Sequence, residues 1–220
     1  MKNILYLSIL FLASCASSIP DVTTPEIKPT ESDITIEDFK THIEFLSSDQ
    51  LQGRGAGTEG DKIAVNYIKK RFYDAAPNKG SVEVQEHYVF KDRRQKKDKV
   101  LTYNVIGYLI GNDEKLKDEF VVIGGHYDTT ANAPGKINNG ADDNASGTSM
   151  VIELFEKFAS TNNHKRTLVF MAFGGEELGL LGSKHFVNNP TIDLDKVHLM
   201  VNLDMIGRME DNNVQLGGAA

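Results

Sequence analysis

The spacing of apolar residues predicts two helices and a hairpin in the first half of the chain. Thr35 can cap a helix that ends near Ser48, because apolar residues recur there at every third or fourth position. The same spacing predicts a second helix over 61–74. Apolar and polar residues then alternate over 81–90, and a strand rich in Tyr, Val and Ile follows over 100–110. These two stretches are expected to pair through the charged segment between them.

The second half of the chain alternates short apolar runs with helical patterns. Strands are predicted at 120–124, 168–173 and 198–203, and helices at 146–160 and 180–188. Apolar runs without alternation are typical of strands whose two faces are both covered. The pattern therefore predicts an α/β fold, with a mainly parallel twisted sheet and helices on both faces.

Acidic residues and one histidine stand where these predicted strands end. They are His126 and Asp128, Asp142 and Asp143, Glu176 and Glu177, and Asp204. Ligands bind in open α/β sheets at the carboxyl ends of the strands, so these residues can meet in one crevice. Each motif alone is more often a turn, a helix cap or a surface feature. Their joint occurrence predicts a site for zinc or a comparable divalent cation and favours a metal-dependent hydrolase.

The residue types suit the parts of such a site. Asp128 can hold the second ring nitrogen of His126 and fix its tautomer. Of two adjacent glutamates, one can ligate a metal while the other takes a proton from metal-bound water. An aspartate from the 142–143 pair can bridge two cations, and the pattern leaves open which of the two does so. Asp204 lies in an apolar stretch, where a carboxylate is expected to be buried and in need of a partner.

Composition narrows the alternatives. The 220 residues suffice for one catalytic domain, and the net charge of −7 argues against a nucleic-acid partner. The charged run 91–99 is interpreted as a solvated hairpin connection. The glycine-rich stretch 53–60 lacks the Gly-Lys-Ser/Thr ending of a phosphate-binding loop and is interpreted as an ordered loop that leads into a helix.

The N-terminus has the pattern of an export signal. A lysine precedes an apolar stretch that is too short to span a bilayer, and Leu-Ala-Ser-Cys follows at 12–15. This ending resembles the lipobox of bacterial lipoproteins, so residues 1–14 are predicted to be a signal peptide and Cys15 a lipid anchor. Residues 15–34 then form a flexible linker, and 35–220 the catalytic domain. The predicted location is the bacterial cell envelope, anchored to a membrane.

Four motifs occur together in the order typical of one enzyme family. They are GHYDT at 125–129, GADDNASG at 140–147, AFGGEELGLLGS at 172–183 and NLDMIG at 202–207. From about Leu46 onward the chain resembles the M28 family of zinc aminopeptidases. The resemblance implies a three-layer sandwich, two zinc ions, and hydrolysis of peptides that have a free N-terminus.

The resemblance also assigns roles. His126 and Asp204 would bind one zinc, Glu177 the second, and Asp143 would bridge both. Glu176 would be the general base on metal-bound water. A cis peptide bond after Asp143 is implied as well.

One feature departs from the family pattern. The family supplies a further histidine to the second zinc from a segment downstream of Asp204, whereas the last histidine of this sequence is His198. The chain is therefore expected to be an N-terminal fragment with an incomplete, C-terminally truncated domain. Two alternatives follow: a one-zinc glutaminyl cyclase on the same scaffold, and a non-catalytic binding domain.

Overall fold

The described part of the protein is built on a five-stranded sheet. A computed structural model describes residues 22–25, 33–92, 94–209 and 215–218. The strands are β1 (Gly80–Asp92), β2 (Lys97–Leu109), β3 (Phe120–His126), β4 (Thr167–Phe173) and β5 (Val197–Asn202). Their order in the sheet is β1-β2-β4-β3-β5.

The sheet is mixed, with one strand reversed. β3 pairs in parallel with both β4 and β5, whereas β2 is antiparallel to β1 and to β4. β1 therefore points the same way as the three parallel strands. The predicted hairpin supplies the reversed strand, because antiparallel neighbours can be joined by a short turn.

Helices cover both faces of this sheet. They are α1 (Ile36–Leu46), α2 (Glu59–Ala75), α3 (Gly147–Thr161) and α4 (Leu181–Asn188). The first three contribute to a large apolar cluster on one face. Phe186 of α4 belongs to a smaller cluster on the other face. This arrangement agrees with the predicted layers.

Strand β4 lies at the centre and is buried along its whole length. Leu168, Phe170 and Ala172 belong to the large cluster, and alternate residues such as Val169 and Met171 belong to the small one. Each fully buried side chain of this size contributes about 1.5–3 kcal/mol. The unbroken apolar run therefore has a direct cause, since each face of β4 meets a different layer.

Two predicted boundaries shift by a few residues for local reasons. Helix α2 begins at Glu59, two residues before the predicted Asp61, because the Thr58 hydroxyl accepts the Asp61 backbone N–H at 3.2 Å and caps the helix directly before Glu59. Strand β3 continues past its glycines, so that His126 pairs with Phe173 of β4. The histidine is thus the last residue of a strand and not part of a loop.

The prediction that both faces of the last strand are covered is wrong for the described structure. β5 pairs only with β3 and forms an edge of the sheet in the described ranges. Leu199 is 52% exposed, and its neighbours Met200 and Val201 are exposed as well. Asp204 is also not buried, since 43% of its side chain is accessible.

The N-terminal predictions fall mostly outside the described residues. The signal segment 1–14 and Cys15 are not described, and of the predicted linker, Val22 packs partly buried against the large cluster. No helix within the described ranges is long and apolar enough to cross a bilayer.

Candidate metal centre

The predicted site residues gather at one edge of the sheet, where three parallel strands end. His126 closes β3, Glu176 and Glu177 follow β4, and Asp204 follows β5. Because β4, β3 and β5 are neighbours, their carboxyl ends open onto the same crevice. Asp143 enters from a wide turn, Ala141–Ser146, that precedes α3.

Three of these side chains converge on one point. The Nε2 atom of His126 lies 3.1 Å from Oδ1 of Asp143 and 3.6 Å from Oδ1 of Asp204. Ligand atoms of all three residues lie within 4.8 Å of one another. Tetrahedral zinc, with bonds of about 2.0–2.2 Å, places its ligand atoms about 3.3–3.6 Å apart. One nitrogen and two carboxylate oxygens at this spacing fit a zinc ion.

His126 is oriented for ligation through Nε2. Its ring is 3% exposed, and Nδ1 lies 3.2 Å from the backbone oxygen of Asp128 and 3.6 Å from its Oδ1. Both neighbours of Nδ1 are acceptors, so the ring proton belongs on Nδ1 and the lone pair of Nε2 faces the cluster. The predicted supporting role of Asp128 thus includes its backbone carbonyl.

The charges around His126 show that the site is short of positive charge. Burial lowers the pKa of His126, but the hydrogen bond and charge of Asp128 and the charges of Glu176 and Asp204 raise it to about 9. A bound cation would neutralise the same carboxylates.

The two glutamates occupy different places beside this cluster. Oε2 of Glu176 lies 3.9 Å from His126 Nε2, close to the predicted ligands but outside the group of three. Glu177 lines an adjoining cavity of about 330 Å³ together with Asp128 and Leu178. Burial raises the pKa of both glutamates, and the charge of Asp143 raises that of Glu177 further. The role of each remains a prediction.

Asp128 joins the ends of β3 and β4. Its buried carboxylate accepts the backbone N–H of Glu176 at 3.0 Å and of Glu177 at 3.3 Å. The same residue therefore contacts the histidine and sets the backbone that carries both glutamates.

The structure separates the two aspartates of the Ala141–Ser146 turn. Oδ1 of Asp142 accepts the backbone N–H of Gly207 at 3.0 Å, and its Oδ2 lies 3.4 Å from Nε of Arg208. Asp143 instead faces His126. The peptide bond between Asp143 and Asn144 is cis, as the resemblance implied. Asp142 holds the segment after β5, and Asp143 is the member of the pair available to a metal.

Two further residues of this turn hold the segment that carries Asp204, and the sequence did not identify them. Asn144 donates to the backbone oxygen of Leu203 at 3.0 Å, and its Oδ1 accepts the N–H of Met205 at 3.2 Å. Ser146 accepts the N–H of Ile206 at 3.1 Å. Asp142, Asn144 and Ser146 stand at alternate positions of the turn. This spacing is a signal in the sequence that could have suggested that the three side chains contact the same segment.

A second buried group with metal-ligand chemistry lies apart from this centre. His42, Glu153 and Glu156 offer atoms within 4.8 Å of one another, but Glu156 is paired with the Arg71 guanidinium at 2.6 Å. The arginine already supplies the cation there. His185 of α4 stacks on His87 with ring centroids 4.9 Å apart.

Comparison with known proteins identifies the family. Residues 104–219 match the family model described as peptidase family M28. The chain belongs to peptidase family M28. The predicted family is thereby confirmed, over a region that contains every candidate ligand described above.

The curated relatives of this M28 protein include an aminopeptidase. Aminopeptidase YwaD of Bacillus subtilis is 39% identical over 105 residues, which are 47% of this chain and 22% of that protein. Leupeptin-inactivating enzyme 1 of Streptomyces exfoliatus is 28% identical over 203 residues, covering 90% of this chain and 42% of that protein. The chain spans less than half the length of these curated relatives.

Solved structures confirm the α/β fold. A Zn-dependent exopeptidase from Parabacteroides distasonis aligns with a TM-score of 0.65 at 19% identity, over 80% of this chain and 63% of that one. An aminopeptidase from an Aneurinibacillus strain aligns with a TM-score of 0.63 at 17% identity, over 81% and 71% of the two chains. Glutaminyl cyclase from Fimbriiglobus ruber shares the fold too, with a TM-score of 0.58 at 20% identity over 76% and 58%.

Proposed function

We propose that the protein of which this chain forms part is a zinc-dependent aminopeptidase that removes N-terminal residues from peptides. The convergence of His126, Asp143 and Asp204, from three separate segments, within 4.8 Å is the observation that carries the proposal. Membership of peptidase family M28 supports it, as do relatives named as an aminopeptidase and as zinc metalloproteases.

The described residues divide the work of holding metal. His126 and Asp204 would hold one zinc and Glu177 a second, with Asp143 shared between them. Zinc, when bound, acidifies water and polarises a carbonyl oxygen. The distances around His126 Nε2 support the first position, and the like charges of Asp143 and Glu177 support a cation between them.

Glu176 is suited to proton transfer. Its carboxylate lies beside the three ligands without joining them, and burial raises its pKa toward the range useful for a base at neutral pH. Its backbone is held by Asp128, which aims the side chain at the crevice. Glu176 would take a proton from the attacking water and return it to the leaving amine.

The substrate would enter beside Glu177. The acidic cluster attracts the ammonium group of a free N-terminus, and the adjoining cavity of about 330 Å³ has room for a substrate residue. Small neutral residues form part of its lining, including Gly55, Ala56 and Ala131. These features support a peptide with a free N-terminus as the substrate.

The test uses the full-length gene product. Metal analysis is expected to show two zinc ions per chain, and chelation is expected to abolish the release of N-terminal residues. Glu176→Gln should lower kcat by about 10²–10⁴-fold while zinc content is retained. Glu44→Gln, in an exposed ion pair on α1, serves as the matched control and should leave kcat unchanged.

Two results would redirect the proposal. Unaltered turnover in Glu176→Gln would remove this residue from its role as the base. Conversion of N-terminal glutamine to pyroglutamate, without release of other residues, would favour the cyclase that shares the fold.

We also propose that the mature protein is lipid-anchored in a bacterial cell envelope through Cys15. Support comes from the position of this only cysteine at the end of the signal-like segment. In a bacterial host, Cys15→Ser should move the protein from the membrane fraction to the soluble fraction and abolish labelling by a fatty acid. Unchanged fractionation and labelling would refute the anchor.

A further inference from the structure

Arg54 is a completely buried residue that contacts segments next to the candidate metal centre. Its guanidinium donates hydrogen bonds to backbone oxygens from three separate stretches of chain. Nε donates to Tyr127 at 2.6 Å, one NH2 group donates to Asn139 at 2.7 Å and to Leu46, and the other donates to Gly140 at 2.9 Å. The residue therefore ties these segments together at one point.

Two of these segments carry candidate metal ligands. Tyr127 stands between His126 and Asp128 at the end of β3. Asn139 and Gly140 immediately precede the Ala141–Ser146 turn, which presents Asp143. The single side chain thus connects the strand that carries His126 with the turn that carries Asp143.

A backbone contact continues the same connection. The N–H of Arg54 donates to the Thr129 hydroxyl at 3.0 Å, three residues beyond the histidine. Arg54 therefore contacts the segment after β3 through both its backbone and its side chain. A shift of this loop would move both contacts together.

The charge of Arg54 is also placed with respect to the site. No carboxylate of the described residues lies within ion-pair distance of the guanidinium, so its buried charge rests on carbonyl dipoles. Burial lowers the pKa of Arg54 to about 10, and the charges of Asp128 and Asp143 oppose this shift. The residue is therefore cationic at neutral pH, and two acidic residues of the site stabilise that charge.

We propose that Arg54 is a positioning residue that presets the separation of His126 and Asp143, and so sets the affinity of the centre for zinc. Arginine suits the task because its planar group offers five N–H donors in a fixed fork. Lysine has three donors on one nitrogen, fewer than the four backbone oxygens that the guanidinium contacts. A neutral side chain would leave several buried carbonyl oxygens without a donor.

The test compares Arg54→Gln and Arg54→Lys with Arg71→Gln in the full-length protein. Arg71 is the matched control, because it is also buried and is paired with Glu156 of α3. Zinc affinity is measured by competition with a chromophoric chelator, and thermal unfolding of the metal-free proteins reports stability. Neither measurement requires peptidase activity.

Arg54→Gln is expected to weaken zinc binding about 10–100-fold, as for other residues that orient metal ligands. Arg54→Lys should recover part of this loss, whereas Arg71→Gln should lower thermal stability without changing zinc affinity. Equal loss of affinity in Arg54→Gln and Arg71→Gln would show a general effect of destabilisation and overturn the proposal. If Arg54→Gln fails to fold, an unchanged affinity in Arg54→Lys overturns it.

The inference rests on the proposed metal centre. Different results of the zinc-binding experiment would overturn the centre and the role of Arg54. Absence of zinc binding by the unsubstituted protein would overturn the centre itself. Normal binding by the unsubstituted protein and by the Arg54 variants would overturn only the role of Arg54.

Discussion

The metal centre joins a buried region of the molecule to an exposed one. His126 ends a strand whose neighbour, β4, is buried throughout, and its ring is 3% exposed. Asp204 follows β5, whose apolar residues are open in the described structure, and 43% of its side chain is accessible. His126 is thus positioned by the packed core. Asp204 is positioned by hydrogen bonds between its segment and the Ala141–Ser146 turn.

The two sides of the site are held in place by different interactions. Close packing holds the β3 side, where displacement would disturb both apolar clusters. On the β5 side, Asp142, Asn144 and Ser146 hold residues 203–207 by individual hydrogen bonds. Substitutions on the two sides should therefore fail in different ways.

The largest effect is expected from the ligand on the buried side. His126→Ala removes the only nitrogen from the group of three ligands and leaves carboxylates facing one another. Zinc affinity should fall by more than about 100-fold, because substitution of a residue that only orients a ligand already costs up to that much. The measurement is chelator competition, with His198→Ala on exposed β5 as the control. Retained affinity in His126→Ala would place the metal elsewhere.

The second prediction compares the loss of stability when a large apolar side chain is shortened on β4 and on β5. Phe170 of β4 is fully buried, and its ring meets Phe155 edge-on with centroids 5.2 Å apart. Phe170→Ala should lower the free energy of unfolding by about 3–5 kcal/mol, because a large cavity is left in the core. Leu199→Ala on β5 should change it by no more than about 0.5 kcal/mol.

Urea denaturation of the 220-residue chain measures both changes, because Leu199 is exposed among the described residues of this chain. A loss above about 2 kcal/mol for Leu199→Ala would contradict the prediction, since such costs are typical of buried positions.

A smaller effect than that of Phe170→Ala is expected from the hydrogen bonds on the exposed side. Asn144→Ala removes the contacts to Leu203 and Met205 and should cost about 1–3 kcal/mol of unfolding free energy, because buried groups lose their partners. Zinc affinity should also fall, by about 10-fold or more, as Asp204 is released. Ser146→Ala removes one contact to the same segment and should have a smaller effect on both quantities. Equal effects, or none on zinc, would show that this turn does not place Asp204.

Much of the fold was predictable from local pattern. The run 168–173 reads as a strand covered on both faces, and β4 is buried along its length because each face meets a separate apolar layer. The same reasoning was wrong for β5, whose apolar residues Leu199, Met200 and Val201 lie at an edge of the described sheet and are exposed. The sequence pattern shows which residues are apolar. The elements that pack against a strand determine which of those residues are buried.

The candidate site was predictable at the level of residue types and less so at the level of contacts. The sequence left Asp142 and Asp143 open, and only the resemblance preferred Asp143. Their roles differ because Asp142 meets the Gly207 N–H, a contact across a long sequence separation. The resemblance to the M28 family includes Gly53 and Arg54, but the contacts of Arg54 could not be predicted, since its partners are backbone carbonyls, which every residue possesses.

The strands and helices, the four motifs of peptidase family M28 and the set of residues able to bind a metal could be identified in the amino-acid sequence. They follow from periodicity and side-chain chemistry, which are local properties. The folded chain was needed to show which of these residues meet, which ligand lies in the core and which at the surface, and that Arg54 connects the segments of His126 and Asp143. Distance and burial depend on chain segments that are far apart in sequence, and no single motif encodes how they pack.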